Sequence, residues 1–242
     1  MIIGINGKIG HGKDTVALLI QYLTSEAYKK GRSFEQFKER YQSPNTTIYD
    51  SDWIVKKYAD KLKQIASILT GIPKEKFEDQ DFKKTNLGSE WGYNIPLQIT
   101  ETKTNTVIYS VDHTRTQIKE MTVREFLQKL GTDAIRQGLH DQAWVNALFS
   151  DYTEEKVGSG PLSYIEYPKW IISDLRFSNE YSAIKERNGI VIRVERPSIG
   201  QTSNHISETA LDDYTFDKVI VNDGSIDDLR EKVKDLIKEF NL

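Results

Sequence analysis

The first apolar block of the chain is short and continuous. Ile2-Ile3-Gly4-Ile5 reads as a buried strand, and it is followed by a glycine-rich stretch and then by Thr15-Val16-Ala17-Leu18-Leu19-Ile20-Gln21-Tyr22-Leu23. That second block is apolar on most faces of a helix, which predicts a well-buried helix after a turn. Residues 29–46 are polar and helix-like only in part. Trp53 to Tyr58 predicts a short strand. Asp60 reads as the cap of a helix through Leu69, with Leu62, Ile65, Ala66 and Leu69 at helical spacing and Gly71 as its stop. From Pro73 to Lys119 the pattern is mixed, and the alternation in Thr106–Ser110 and Thr116–Lys119 predicts a hairpin. Thr122-Val123-Arg124-Glu125 is a capping box that opens a helix through Leu130. A further helix is expected over Trp144–Phe149 and a loop at Gly158-Ser159-Gly160-Pro161.

In the last third, strands and helices alternate. Trp170-Ile171-Ile172-Ser173 predicts a strand ending at Asp174, Glu180–Asn188 a helix stopped by Gly189, Ile190–Val194 a strand, and Lys218–Val221 another. Ser225 caps a closing helix on which Leu229, Val233, Leu236, Ile237 and Phe240 share a face. This alternation implies an α/β fold, a mostly parallel sheet with helices on both sides. The expected organisation is one domain over residues 1–242, with an insertion lobe at 45–120 and a lid segment at 197–215. There is no internal repeat.

Composition narrows the function classes. With 33 Lys and Arg against 36 Asp and Glu, the net charge is −3, which argues against a protein that works chiefly on a nucleic-acid backbone. The absence of Cys excludes disulfides, thiolate metal sites and cysteine nucleophiles. Four His make a His-rich metal site a poor expectation. No apolar run approaches the roughly 20 residues that span a bilayer. The expected location is the cytoplasm.

The chemistry concentrates first at Gly7-Lys8-Ile9-Gly10-His11-Gly12-Lys13-Asp14-Thr15, between the first strand and the first helix. Glycines there let successive N–H groups turn inward around an anion, and the helix N-terminus adds partial positive charge. Lys13 supplies a mobile cation for a transferred phosphoryl group. The template G-x-x-x-x-G-K-[ST] is met at Gly7, Gly12 and Lys13 and broken by Asp14, with Thr15 one place later. A carboxylate at that place suits Mg²⁺, a hard ion that takes oxygen ligands. No Asn-Lys-x-Asp guanine signature is present.

Three later segments carry polar residues where loops are expected: Leu130-Gly131-Thr132-Asp133 with Arg136 and Trp144; Asp174-Leu175-Arg176-Phe177-Ser178-Asn179-Glu180; and Arg196-Pro197 followed by His205-Ile206-Ser207-Glu208. Ligands of doubly wound sheets bind beyond the carboxyl ends of strands, where Asp174 and Arg176 fall. Together with Gly-His-Gly-Lys-Asp-Thr, with Lys61-Leu62-Lys63, Phe77-Glu78-Asp79 and Val221-Asn222-Asp223-Gly224-Ser225, and in this order, they make the chain resemble the bacteriophage deoxynucleoside monophosphate kinases. Residues 91–119 align only loosely.

The resemblance implies an adenylate-kinase-like fold that moves the γ-phosphoryl group of ATP, with Mg²⁺, to a deoxynucleoside 5′-monophosphate. Its implied site comprises Gly7, Lys8, Gly10, His11, Gly12, Lys13, Asp14, Thr15 and Asn222 for ATP. Asp14, Thr15 and Asp174 would hold metal, and Lys13, Asp14, Arg176 and Arg196 would act in catalysis. For the acceptor it implies Lys61, Lys83, Arg124, Gly131, Thr132, Arg136, Trp144, Asp174, Arg176 and Glu180. Simpler roles stand beside these: solvated helix faces for the arginines, a core aromatic for Trp144, a first-turn helix charge for Glu180, and a lid-ordering pair for His205 and Glu208. Expected partners are small nucleotides, with a homodimer left open, and neither nucleic acid nor membrane. The alternatives are another P-loop small-molecule kinase, for a cofactor precursor or phosphomevalonate, and an NTP-switched binding module.

Overall fold

A computed structural model, which describes residues 1–42, 51–103, 106–157, 163–199 and 206–242, accounts for the apolar pattern with nine α-helices and nine β-strands among those residues. In chain order they are β1 (Ile2–Asn6), α1 (Lys13–Leu23), α2 (Glu26–Lys29), α3 (Phe34–Gln42), β2 (Trp53–Lys56), α4 (Tyr58–Thr70), β3 (Tyr93–Lys103), β4 (Thr106–Lys119) and α5 (Val123–Gln128). Then follow α6 (Ala143–Phe149), β5 (Glu155–Val157), β6 (Tyr164–Glu166), β7 (Lys169–Leu175), α7 (Ser178–Lys185), β8 (Ile190–Glu195), α8 (Ile206–Thr209), β9 (Lys218–Val221) and α9 (Ile226–Phe240). The chain divides into two compact units, one of residues 1–61 and 142–242, the other of residues 62–141. The second unit thus runs further along the chain than the expected 45–120 lobe.

The first unit is built on a five-stranded sheet in the order β2-β7-β1-β8-β9, with every neighbouring pair parallel. β1 lies at its centre and all five of its residues are buried. Side chains alternate across a strand. Ile3 and Ile5 of β1 therefore join Ile171, Ile192, Val194 and Ile220 on one face, under Val16, Leu19 and Ile20 of α1 and Leu229, Val233 and Leu236 of α9. Each such fully buried aliphatic side chain contributes about 1.5–3 kcal/mol. On the opposite face, Ile184 of α7 comes so close to Gly4 that a Cβ there would meet its Cδ1 at 2.6 Å. The sheet is flanked by helices on both sides, as the alternation of elements implied.

The second unit has its own small core of Ala66, Phe77, Val123 and Phe126. Trp91 meets Phe126 edge-on, with ring centroids 4.9 Å apart. Its β3 and β4 form an antiparallel two-stranded ribbon from Tyr93↔Lys119 to Lys103↔Thr106. This corrects the hairpin expected within residues 106–119. Those residues form one strand because 106–112 and 116–119 all pair with β3 rather than with each other. The ladder slips between Pro96 and Leu97, where proline lacks a donor.

Several boundaries also move. α4 begins at Tyr58 rather than after Asp60, because its first amides find an acceptor elsewhere in the chain, described below. α5 ends at Gln128, and the chain continues in wide π-type turns over Lys129–Gln137. Gly71 does stop α4, at φ 72°. The loop expected at Gly158–Pro161, His205, and parts of the 29–46, 45–120 and 197–215 segments lie outside the described residues.

Candidate active site

Parallel strands bring all their carboxyl ends to one edge. Here that edge collects the Gly7–Lys13 loop after β1, Lys57 after β2, Ser173 and Asp174 at the end of β7 with Arg176 beyond, Arg196 after β8, and Asn222 after β9. The loop is shaped by glycine. Gly7, Gly10 and Gly12 have φ of 150°, 82° and 100°, and Gly12 leads into α1. A Cβ on Gly7 would meet the Val194 carbonyl oxygen at 2.5 Å, and one on Gly12 would meet Asn222 Nδ2 at 2.7 Å. Asn222 Nδ2 donates to the His11 carbonyl at 3.0 Å, and the Asn222 amide donates to Glu195 O at 2.7 Å. The residue expected to serve ATP from the far end of the chain is thereby fastened to the loop.

Lys13 folds back over this loop, and its Nζ donates to Gly7 O at 2.6 Å and Lys8 O at 2.9 Å. Burial, and then the neighbouring Arg176 guanidinium, push its pKa down to about 8. Asp14 Oδ1 accepts from Ser173 Oγ at 2.9 Å and pairs with Lys57 Nζ at 2.9 Å. Burial raises the Asp14 pKa, but Lys57 and Ser173 outweigh it and hold the carboxyl below its usual range. Asp174 is placed by a different demand. Its Oδ1 accepts from Tyr58 N and its Oδ2 from Ala59 N, each at 2.9 Å, so it caps α4 from across the chain. Burial pushes its pKa up against those two amides.

His11 is buried beneath the loop, with Nδ1 3.2 Å from both the Val194 carbonyl and the Arg196 amide. The ring tautomer decides which bond is made. Its Nε2 is buried with no hydrogen-bond partner among the described residues. Lys8 pairs with Asp212 at 3.3 Å. Arg193 is committed to Asp212, Glu195 and the Leu211 carbonyl. Arg176 pairs through Nη1 with Glu208 Oε1, while Glu208 Oε2 accepts from the Ile9 amide at 3.0 Å.

The other expected residues divide between the two units. In the first, Lys61 pairs with Asp151 at 2.9 Å. Trp144 is buried on α6, at 6 % exposure. Glu180 is buried, and its Oε2 accepts from the amides of Arg176 and Phe177 at 2.9 and 3.1 Å. In the second, Lys83 lies on a short turn, Phe82–Lys84, and Arg124 Nη2 donates to Gln80 Oε1 at 3.1 Å. Gly131, Thr132 and Arg136 occupy the π-type turns. Gly131 approaches Leu62 so closely that a Cβ would meet it at 3.0 Å, and Arg136 Nη1 lies 3.5 Å from Asp141 O. Sequence reasoning missed Lys57 and Ser173. Lys57 directly follows a strand, a position that marks it as a site residue in a parallel sheet.

Among the described residues no group of three or more His, Asp or Glu gathers to hold a metal unaided, and no helix is long and apolar enough to cross a membrane. The donor set at the edge, the carboxylates of Asp14 and Asp174 and the hydroxyl of Thr15, is all oxygen. That fits Mg²⁺ held by one or two carboxylates together with substrate phosphates.

Residues 53–233 match the family model described as deoxynucleotide monophosphate kinase. The match starts after the phosphate loop, so the loop is read from its own geometry. A deoxynucleotide monophosphate kinase of Enterobacteria phage T4 is 34 % identical over 119 residues, 49 % of this chain and 46 % of that protein. One of Escherichia phage RB69 is 28 % identical over 116 residues, 48 % of this chain and 45 % of that protein. The chain spans about half the length of these curated relatives in the matched regions.

Proposed function

The chain belongs to the deoxynucleotide monophosphate kinase family, and from that premise we propose that it transfers the γ-phosphoryl group of ATP to a deoxynucleoside 5′-monophosphate, yielding ADP and a deoxynucleoside diphosphate. An oxygen of the acceptor phosphate forms the new bond to the γ-phosphorus. The bond from that phosphorus to the β–γ bridging oxygen breaks, and its electron pair leaves with ADP. Such a transfer needs little covalent help from the protein; it needs two anions held in line and their charge neutralised.

One observation carries the reading: a half-buried lysine, Lys13, at the N-terminus of α1 inside a glycine-shaped loop, with Arg176 close enough to depress its pKa. The amides of residues 8–13 and the α1 N-terminus hold the ATP phosphates. Lys13 follows the γ-phosphoryl group, and Arg176 and Arg196 serve the charge that spreads over it. Asp14, Thr15 and Asp174 would hold Mg²⁺, which when bound would neutralise charge on the ATP phosphates. Lys61, Lys83, Arg124, Gly131, Thr132, Arg136, Trp144, Asp174, Arg176 and Glu180 serve the acceptor. The family favours a deoxynucleotide acceptor over the other phosphorylated acceptors and over the binding module.

A coupled assay with ATP, Mg²⁺ and each dNMP tests this. Turnover is expected with at least one dNMP, and none with any of them sinks the proposal. Lys13→Ala is expected to lower kcat by about 10²–10³-fold, the usual loss for one such charge-stabilising donor, with its circular dichroism unchanged. Retained turnover would remove Lys13 from the site.

A further inference from the structure

Glu208 touches both the phosphate loop and the arginine beyond β7. Its side chain is 3 % exposed. Oε2 accepts from the Ile9 amide, inside the loop, at 3.0 Å, and Oε1 is paired with Arg176 Nη1. Its charge also reaches Lys13, on whose ammonium it has a stabilising influence. A backbone N–H of the loop, a guanidinium and the loop lysine are the donors a phosphoryl group takes at such a site. The same stretch of chain holds the loop a second time, through Asp212 and Lys8, 3.3 Å apart. It is anchored by Arg193, which donates to Leu211 O at 3.1 Å and to Asp212 at 2.7 Å.

We propose that the Glu208 carboxylate is a built-in competitor for polyphosphate at the loop, which gives up Ile9 and Arg176 when the terminal phosphate of a nucleotide takes them. The proposal rests on the reading of residues 7–13 as a phosphate site. A fixed negative charge on those donors opposes a second anion there, so affinity for phosphate is set by how readily Glu208 withdraws. If the withdrawn arrangement is about one tenth populated, apparent affinity is about tenfold below its intrinsic value. The rival role is a brace, in which Glu208 holds Arg176 in place for the phosphate and its loss weakens binding.

Titration calorimetry with inorganic tripolyphosphate, which needs no acceptor and no turnover, separates the two. The proteins compared are the wild type, Glu208→Gln and Lys13→Ala. Glu208→Gln keeps the shape and an acceptor for Ile9 but loses the charge. It is expected to bind tripolyphosphate about tenfold more tightly than the wild type. Equal or weaker binding by Glu208→Gln, with the wild type still binding and Lys13→Ala not, overturns the competitor and leaves the phosphate loop standing. No binding by either the wild type or Glu208→Gln overturns both. A second measurement needs no variant: hydrogen exchange in wild-type peptides over residues 206–211 is expected to rise with saturating tripolyphosphate, and unchanged or slower exchange counts against the proposal.

Discussion

Gly12 and Lys13 are adjacent, and each is held to its identity by a different physical limit. Gly12 sits at φ 100°, where an L side chain is strained by about 1–2 kcal/mol, and it faces Asn222 Nδ2 at a distance too short for a Cβ. Gly12→Ala is therefore expected to push Asn222 off the loop and to weaken ATP binding about tenfold, with a smaller loss in melting temperature. Binding within twofold of the wild type by calorimetry would show that the contact does not matter. Lys13 is limited by charge. Its pKa of about 8 lies below the ordinary 10.5, so above pH 8 the protein carries it increasingly neutral. A phosphate anion stabilises the protonated form and draws the proton back. Polyphosphate binding at pH 9 should take up a proton and binding at pH 6.5 should not, which calorimetry in buffers of different ionisation enthalpy measures directly. Equal proton uptake at the two pH values would show that Lys13 does not titrate between them.

What a helix terminus needs was legible wherever the answer lay within a few residues. The Thr122 box is formed as its sequence implies, with Thr122 Oγ1 accepting from Glu125 N at 3.2 Å and Glu125 Oε2 accepting from Thr122 N at 2.9 Å. Ser225 caps α9 in the same way with Asp228. The start of α4 was not legible, because its acceptor, Asp174, is 115 residues away from Ala59. The same limit hid Lys57 and Ser173, whose meeting with Asp14 follows from β7 lying between β2 and β1. Strand order is set by packing over the whole sheet, and no local pattern encodes it. Lys13, Asp14 and the loop glycines were legible because strand, turn and helix follow one another directly there. The local case yields a stability prediction. Thr122→Ala should cost about 1 kcal/mol. The Thr122 amide and Lys119 pull the Glu125 pKa from 4.5 down to about 2. A carboxylate depressed on folding stabilises above its unfolded pKa, and that stabilisation fades as pH falls from about 4.5 to about 2. Melting of Glu125→Gln should trail the wild type at pH 6 and converge with it near pH 2; a constant gap would assign the loss to packing instead.

For the whole molecule, a net charge of −3 conceals local differences. Lys13, Lys57 and Arg176 stand among Asp14, Asp174 and Glu208 at one sheet edge, so cations meet acids where phosphates are proposed to bind, and the sum reports neither. All six belong to the first unit, whereas Lys83, Arg124, Gly131, Thr132 and Arg136 belong to the second. If the second group serves the acceptor alone, steady-state constants must divide along the same line. Arg124, which already donates to the neutral Gln80 Oε1, is the sharpest probe, because its guanidinium is formed to grip a phosphate. Losing one charged hydrogen bond is worth about tenfold in affinity. Arg124→Ala is therefore expected to raise KM for the dNMP about tenfold, while KM for ATP and the Kd for tripolyphosphate stay within twofold of the wild type. Asn222→Ala, at the other unit's sheet edge, should do the reverse. If both constants moved together in both variants, the two substrates would share their binding residues, and the assignment of the 62–141 unit to the acceptor would fail.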